Sequence, residues 1–292
     1  MLKVAIYGKT ISEVYISFIE ALFEKLTEHQ IEIFICASFH HFLQQKINIP
    51  SHTTFTNHQE IKDVDYLFSI GGDGTLLETV RLVQDQNIPI LGINTGRLGY
   101  LSSITTDEVN LAVNSIVNQD FELDKRTLLD VKTIGSDFFG KTNYALNEIT
   151  IQKKDTSSMI TIHVYLNGEF LNSYWADGII IATPTGSTAY SLSCNGPIVL
   201  PNSGNIIITP IAPHNLNVRP LVIADDASIQ LKVEGRTDNF LAAIDSRSVT
   251  MPITTEITIS KSLHKVNLIR LKEYNLLNTL RTKLMWGVDK RN

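Results

Sequence analysis

Along the first 120 residues, short apolar runs alternate with segments of helical period. Residues 3–7 form an apolar run, after which Ile19, Leu22, Phe23 and Leu26 recur at the i, i+3, i+4, i+7 spacing of one helical face. Residues 32–37 and 66–70 predict a second and a third strand. The third opens onto Gly71-Gly72-Asp73-Gly74 and then a helix bearing Leu76, Leu77, Val80 and Val83. Residues 89–93 predict a fourth strand, ended by Asn94-Thr95-Gly96. Thr105 and Glu108 stand at the spacing of a capping box, ahead of a helix with Val109, Ala112, Val113 and Ile116 on one face. Strands alternating with helices predict an α/β domain with a parallel sheet, helices on both faces, and a site at the carboxyl ends of the strands.

After residue 120 the period falls to two. Residues 159–166 alternate, Asn167-Gly168 is a hairpin turn pair, and 169–175 predicts the returning strand. Further strands are predicted at 128–134, 144–152, 179–182, 206–211, 229–234, 241–244, 256–259 and 265–271. Short strands separated by turn residues predict an all-β, sandwich-like domain. Residues 186–191 interrupt the series as a loop entering a helical turn. A last helix near 275–284 stands apart from the strands and is expected to pack back on the first domain. The expected division is therefore 1–120, 121–272 and a C-terminal helix and tail over 273–292. No repeat or low-complexity linker separates these parts, so they are expected to form one tight body.

Composition narrows the class. The 292 residues are 43% hydrophobic and 19% charged, enough apolar surface to exclude a disordered chain. A net charge of −5 provides no field to draw nucleic acid or an anionic membrane, and neither is expected as a partner. Residues 1–120 hold 7 Lys/Arg against 14 Asp/Glu, so phosphate handled there must be met mainly by backbone N–H groups and a metal ion. Cys36 and Cys194 are far apart and in no metal-ligand spacing, which reads as two buried thiols in a reducing compartment, a single disulfide being the alternative. The N-terminal run is too short for a signal peptide, and no run approaches the roughly 18 apolar residues of a membrane span. A soluble, cytoplasmic protein is expected. Eight histidines show no metal-ligand spacing, so no protein-bound metal is assigned.

The strongest local chemical signal is Gly71-Gly72-Asp73-Gly74-Thr75 between a buried strand and a helix. Glycines let the backbone approach a ligand, and the helix N-terminus offers unpaired N–H groups suited to phosphate. The alternative is a tight turn with Asp73 as N-cap. The chain lacks G-x-x-x-x-G-K-[ST], which argues against a P-loop ATPase. It also lacks G-x-G-x-x-G at the first strand, which argues against an ordinary dinucleotide-binding dehydrogenase. Asn147 and Glu148 interrupt an apolar run, either as a solvent-facing pair at a strand edge or as ligand-binding groups. Asp177 fits an Asp-Gly turn, and Tyr190 fits core packing equally well.

Three longer strings change this picture. They are Asn94-Thr95-Gly96-Arg97-Leu98-Gly99-Tyr100-Leu101, the stretch from Asp177 to Ser193, and Thr209-Pro210-Ile211-Ala212-Pro213-His214 followed by Arg219-Pro220-Leu221. With residues 71–75 and Asn147-Glu148 they resemble the NAD kinase family, in the right order and over nearly the whole chain. Gly-Gly-Asp-Gly alone is shared with lipid kinases and phosphofructokinases; the stretch from Asp177 to Ser193 is the specific part. The resemblance implies transfer of the γ-phosphoryl of ATP to the 2′-hydroxyl of the adenosine ribose of NAD, in a cleft between the domains, with Mg²⁺ carried by ATP.

Residue by residue, the resemblance makes Asp73 the proton acceptor and a contact of NAD. It assigns Gly71, Gly72, Gly74 and Thr75 to the ATP phosphates, with Gly74 also against NAD. Asn147 and Glu148 would hold the dinucleotide and Asp177 its nicotinamide-side ribose. Thr188, Ala189, Tyr190, Ser191, Leu192 and Ser193 would hold adenine, Tyr190 by stacking. Thr185, Tyr100 and Ala212, the last where the family often has Cys, would border the same pocket. At Asp245-Ser246-Arg247 relatives commonly carry Asp-Gly-Gln, so Arg247 offers an added phosphate ligand. A homo-oligomer, tetramer or dimer, is also implied. Two readings compete: another Gly-Gly-Asp-Gly kinase acting on a lipid or sugar, and a non-catalytic NAD(P)-binding sensor.

Overall fold

The apolar runs of the first third pair as a parallel sheet, in a computed structural model that describes residues 1–96, 99–102, 104–135, 137–154, 158–272 and 274–286. The chain divides into two units, one made of Met1–Asp124 with the chain from Val266 onward, the other of Lys125–Lys265. In the first unit the elements are β1 (Lys3–Gly8), α1 (Ile16–Glu28), β2 (Glu32–Cys36), α2 (Ala37–Leu43), β3 (Thr53–Phe55), β4 (Tyr66–Ile70), α3 (Asp73–Val83), β5 (Ile90–Asn94), β6 (Ile104–Thr105) and α4 (Val109–Val117). The strands lie in the order β3-β2-β1-β4-β5, each parallel to its neighbour. The chain builds outward from β1 to β3, then crosses back to β4. The loops after Gly8 and Ile70 therefore leave the carboxyl edge where the winding reverses, the place where open α/β sheets bind ligands.

The helical stripes read from the sequence are the buried ones. Ile19, Leu22, Phe23 and Leu26 of α1 and Val109, Ala112, Val113 and Ile116 of α4 are all buried, and the two helices pack on each other. In α3, Leu77 is only partly covered. Thr79 takes a place on the buried face, where its hydroxyl donates to Ser69 Oγ at 2.9 Å. The capping box forms, with Glu108 accepting from the Thr105 N–H at 2.8 Å.

The second unit follows with β7 (Phe121–Thr133), whose first residues lie in the first unit. After it come β8 (Tyr144–Ala145), β9 (Glu148–Lys153), β10 (Ile160–Leu166), β11 (Glu169–Ala176), β12 (Gly178–Ala182), α5 (Tyr190–Ser193) and β13 (Asn205–Ile211). Next are β14 (Leu221–Ala224), β15 (Ile229–Glu234), β16 (Asn239–Ile244), β17 (Arg247–Pro252) and β18 (Ile257–Leu271); α6 (Leu276–Leu284) then belongs to the first unit. One antiparallel sheet has the order β14-β13-β12-β9-β16-β17, and β11-β10-β15-β18 form an antiparallel run in a second. Ile149, Ile151, Ile179 and Ile181 of the first share one core with Ile160, Ile162, Val164, Ile229 and Leu231 of the second. This is a sandwich core of inward-facing alternate residues. The hairpin turn has positive φ at both Asn167 (52°) and Gly168 (86°), the geometry that matches strand twist.

Several boundaries differ from the sequence reading. The expected strand 144–152 breaks at Leu146-Asn147. The two expected at 256–259 and 265–271 are one strand, β18, which pairs antiparallel with β15 in its first half and parallel with β5 near its end. Both cysteines are free thiols, but only Cys36 is buried; Cys194 is partly exposed. Among the described residues no helix is long and apolar enough to cross a membrane.

The packing predicts a contrast in stability. Leu22 is 0% exposed and Leu123 is 43% exposed. Leu22→Ala should cost about 2–5 kcal/mol of unfolding free energy, whereas Leu123→Ala should stay within about 0.5 kcal/mol. Chemical denaturation of the two variants checks the difference.

Candidate functional site

In the first unit β4 ends at Ile70 and the chain turns through Gly71 into α3. The N-cap of α3 is Gly72 and Asp73 is its first helical residue, so the turn reading with Asp73 as cap is corrected. The Asp73 side chain instead reaches the segment beyond β5. Its Oδ2 accepts the N–H of Tyr100 at 2.8 Å, and its Oδ1 accepts those of Leu101 at 3.1 Å and Ser102 at 3.0 Å. Gly99 permits this approach, since a Cβ there would lie 1.8 Å from Asp73 Oδ1. The motif at 71–75 and the string at 94–101 thus form one structure. A carboxylate has about four lone-pair sites, and three are taken; the second on Oδ2 meets no donor among the described residues. Gly72 and Gly74 stand exposed beside it, and a Cβ on either would meet nothing within 4 Å.

The neighbouring strand end carries a polar cluster that the sequence reading missed. Tyr7 Oη donates to Glu78 Oε2 at 2.8 Å, and Lys9 Nζ lies 2.7 Å from Glu78 Oε1. Burial and the Glu78 carboxylate push the Tyr7 hydroxyl well up. Burial also pushes Glu78 up, but the bonds from Lys9 and Tyr7 prevail and hold it below its ordinary value. Five residues separate Glu78 from Asp73 on one helix, and 69 separate it from Lys9, so no local pattern announces the cluster.

In the second unit the break between β8 and β9 is shaped by Asp245. This residue, at φ 49°, accepts the N–H groups of Leu146 at 3.0 Å, Asn147 at 2.8 Å and Glu148 at 3.2 Å. From the other side Thr183 donates its hydroxyl to Leu146 O at 2.6 Å and its N–H to Asn147 O at 2.9 Å. Gly186 packs so closely that a Cβ would lie 2.1 Å from Asn147 O. Glu148 is only 8% exposed, and its Oε2 has no hydrogen-bond partner among the described residues. Burial, then the nearby Asp245 charge, pushes its pKa up to about 8, against the N–H of Tyr190. Burial pushes Asp245 up too, but three N–H groups and Arg247 favour its charged form. Burial thus favours the neutral form of Glu148, while the donors around Asp245 work against its own upward shift.

The predicted adenine segment covers the outer face of the same sheet, where Cys194, Val199 and Ile211 pack on Ile180, Ala182 and Ile207. Tyr190 is 38% exposed rather than in the core, and its Oη accepts from Gln152 Nε2 at 3.0 Å. Asp177 pairs with Lys153 at 2.6 Å. Ser191 is buried with its Oγ 2.8 Å from Thr209 Oγ1, and Thr185 is buried with its Oγ1 3.2 Å from the Arg126 guanidinium. Those two hydroxyls hold the loop together. Thr188, Ala189 and Leu192 are half-buried, while Ser193 and Ala212, at φ 43°, are exposed. Asn147, Glu148, Asp177 and 185–193 thus flank β9 and β12 of one unit, Asn147 and Glu148 at the start of β9 and Asp177 beside Lys153 at its other end; Asp73, its glycines, Thr75 and Tyr100 lie in the other. Arg247 donates to Thr142 Oγ1 at 2.9 Å and Tyr144 O at 3.4 Å and lies over Phe139, so its guanidinium braces 139–144. Among the described residues no three His, Cys, Asp or Glu side chains converge as a metal site.

A glycine-rich turn at the switch point of an α/β sheet, with a polar loop cluster on a β-sandwich, is the layout of a two-part nucleotide-binding protein. Residues 4–121 match the ATP-NAD kinase N-terminal domain, and residues 146–271 match the ATP-NAD kinase C-terminal domain. The chain is 47% identical over 291 residues to a protein named NAD kinase from Cytophaga hutchinsonii, covering 99% of each. It is 45% identical to another of that name from Flavobacterium psychrophilum, covering 100% of each. Among solved structures, yeast NADH kinase complexed with NADH superposes with a TM-score of 0.88 at 24% identity, over 99% of this chain and 89% of that one, a likeness of fold. An NAD kinase from Archaeoglobus fulgidus in complex with ATP gives a TM-score of 0.74 at 26% identity, over 98% and 99%. The chain belongs to the ATP-NAD kinase family. Matches to both domains set aside the lipid and sugar kinase reading.

Two predictions follow from this geometry. Gly99→Ala should lower the melting temperature by forcing the 99–102 segment off Asp73. Gly74→Ala, in open space within a helix, should stabilise by up to about 1 kcal/mol and lose activity only where a ligand approaches that backbone; melting curves and assays on both variants check this. Glu148 gives a pH signature. Its folded value is raised, so between its ordinary 4.5 and about 8 the folded state holds the extra proton, and its contribution to stability falls as pH rises across that window. Glu148→Gln removes this titration, so its melting temperature should gain on the wild type between about pH 5 and about pH 8.5.

Proposed function

We propose that this protein transfers the γ-phosphoryl of ATP to the 2′-hydroxyl of the adenosine ribose of NAD, giving NADP and ADP. The observation that carries this reading is Asp73, a carboxylate fixed by three backbone N–H groups with one lone pair of Oδ2 unclaimed among the described residues, beside two bare glycines. In the transfer the ribose 2′-oxygen bonds to the γ-phosphorus, the bond to the β,γ-bridging oxygen breaks, and the hydroxyl proton passes to Asp73. A loose transition state asks little of that base until late, which suits a carboxylate already engaged by donors. The backbone amides of Gly72, Asp73 and Gly74 meet the phosphates, since those of Gly71 and Thr75 already bond Ile93 O and Gly72 O at 3.0 Å. Mg²⁺, held by the ATP phosphates, would neutralise their charge; among the described residues no three His, Cys, Asp or Glu side chains converge to hold it.

The second unit supplies the dinucleotide contacts in this reading. The exposed ring of Tyr190 offers a stacking face for adenine. Thr188, Ala189, Leu192 and Ser193 border it, and Asn147 and Asp177 face the riboses. Glu148, carrying its proton, donates as well as accepts a hydrogen bond, as a ribose hydroxyl requires.

The test is NADP formation from MgATP and NAD, detected with an NADP-specific dehydrogenase. Folded protein that forms none overturns the enzyme and leaves the sensor. NAD lacking the 2′-hydroxyl should bind without being phosphorylated. Asp73→Asn turns one acceptor oxygen into a donor facing backbone N–H, so about 1.5–3 kcal/mol of stability should be lost. As general base, Asp73 predicts kcat at saturating substrates lower by about 10²–10⁴; turnover within about threefold of wild type would end that role.

A further inference from the structure

We propose that Lys283 of α6 is a phosphate-binding residue of the Asp73 site, its ammonium group contacting the terminal phosphates of the nucleoside triphosphate. This rests on the phosphoryl-transfer reading above and adds a residue that neither the glycine-rich turn nor the dinucleotide loop contains. Three observations support it.

The first is placement. The chain returns from the second unit to the first at Val266, and α6 is anchored there. Asn275 caps the helix by accepting the Leu277 N–H at 2.9 Å, Thr279 and Leu280 are buried, and Thr279 Oγ1 donates to Tyr274 Oη at 2.5 Å. Lys283 follows these buried residues by three and four positions, so it projects from the same helical face.

The second is the contact itself. Lys283 Nζ lies 4.5 Å from the ring centroid of Tyr100, the residue whose N–H holds Asp73 Oδ2. An ammonium over an aromatic face gains a cation–π attraction while keeping hydrogen-bond donors for another acceptor. Burial depresses the Lys283 pKa, and the Asp73 charge acts on it in the opposite sense, so the two groups share one electrostatic environment.

The third is charge. Residues 1–120 carry 7 Lys/Arg against 14 Asp/Glu, a poor field for a triphosphate, whereas the described residues from 266 on add Arg270, Lys272, Arg281 and Lys283, of which Arg270 and Lys272 pair with Glu122 and Asp120. At this edge Lys9 is already neutralised by Glu78 at 2.7 Å. Lys283 has no carboxylate within 4 Å among the described residues. Lys283 thus brings a half-buried ammonium, parked on a π face, to the side of Asp73.

The experiment compares wild type with Lys283→Met, which keeps the apolar stem on Tyr100, Lys283→Gln as a second neutral form, and Lys283→Arg. Binding of MgATP and of AMP is titrated by calorimetry without NAD, and kcat and KM for each substrate are then measured. Both neutral variants should weaken MgATP binding about tenfold or more, the loss expected of one charge-assisted hydrogen bond, and leave AMP binding within about twofold. Lys283→Arg should restore MgATP binding to within about threefold, with KM for NAD unchanged in all forms. Equal losses for AMP and MgATP would make Lys283 a brace for Tyr100, and unchanged MgATP binding would remove it from the site; either overturns the proposal. Wild type that binds MgATP yet forms no NADP would defeat the phosphoryl-transfer reading alone, because the binding comparison is made without turnover.

Discussion

Irregular backbone must find acceptors for its N–H groups, and in each unit one aspartate supplies three of them. Asp73 gathers the amides of Tyr100, Leu101 and Ser102; Asp245 gathers those of Leu146, Asn147 and Glu148. A buried unpaired N–H costs about 1–3 kcal/mol, so each carboxylate dictates the path of a loop that has no ladder to follow. Both loops carry candidate ligand contacts. The shape of each site is therefore set by a side chain remote in sequence from the loop it organises.

The same device separates two kinds of carboxylate. Glu148 sits beside Asp245 with an oxygen that no donor reaches among the described residues, whereas Asp245 is surrounded by N–H groups. Two buried acids in contact cannot both ionise cheaply, and the one with more donors keeps the charge. In this way the fold gives two chemically similar side chains different surroundings, donors around Asp245 and burial without them at one oxygen of Glu148.

Much of this was legible beforehand. Strand and helix positions in the first unit follow from period and capping, because burial there selects a face. The residues of α2 escaped notice because Phe39 and Leu43 are its only buried pair, among Ser and His. The edge strands β14 and β17 escaped because β14 is largely exposed and β17 buries little. The strand β18 was divided in two because three consecutive exposed residues, 263–265, break its alternation. Within the sites, contiguous strings such as 71–75 and 177–193 could be recognised. The contacts of Asp245, Lys9, Glu78 and Lys283 could not, since their partners lie 69 to 183 residues away and only folding brings them together.

One consequence of the chain's route concerns synthesis. The second unit is contiguous, but the first is completed only by its last segment, and the edge of β5 at Ile90 waits for Leu268 as its partner. At ribosomal rates of about 5–20 residues per second, some ten to thirty-five seconds separate the two on the nascent chain. For that interval the outer edge of an apolar parallel sheet is covered only at Ile93 and Asn94, by the short β6, while the unit made after it can already close. The element born first thus matures last, and premature termination near the end of the message leaves the N-terminal half, not the truncated end, as the aggregation-prone part.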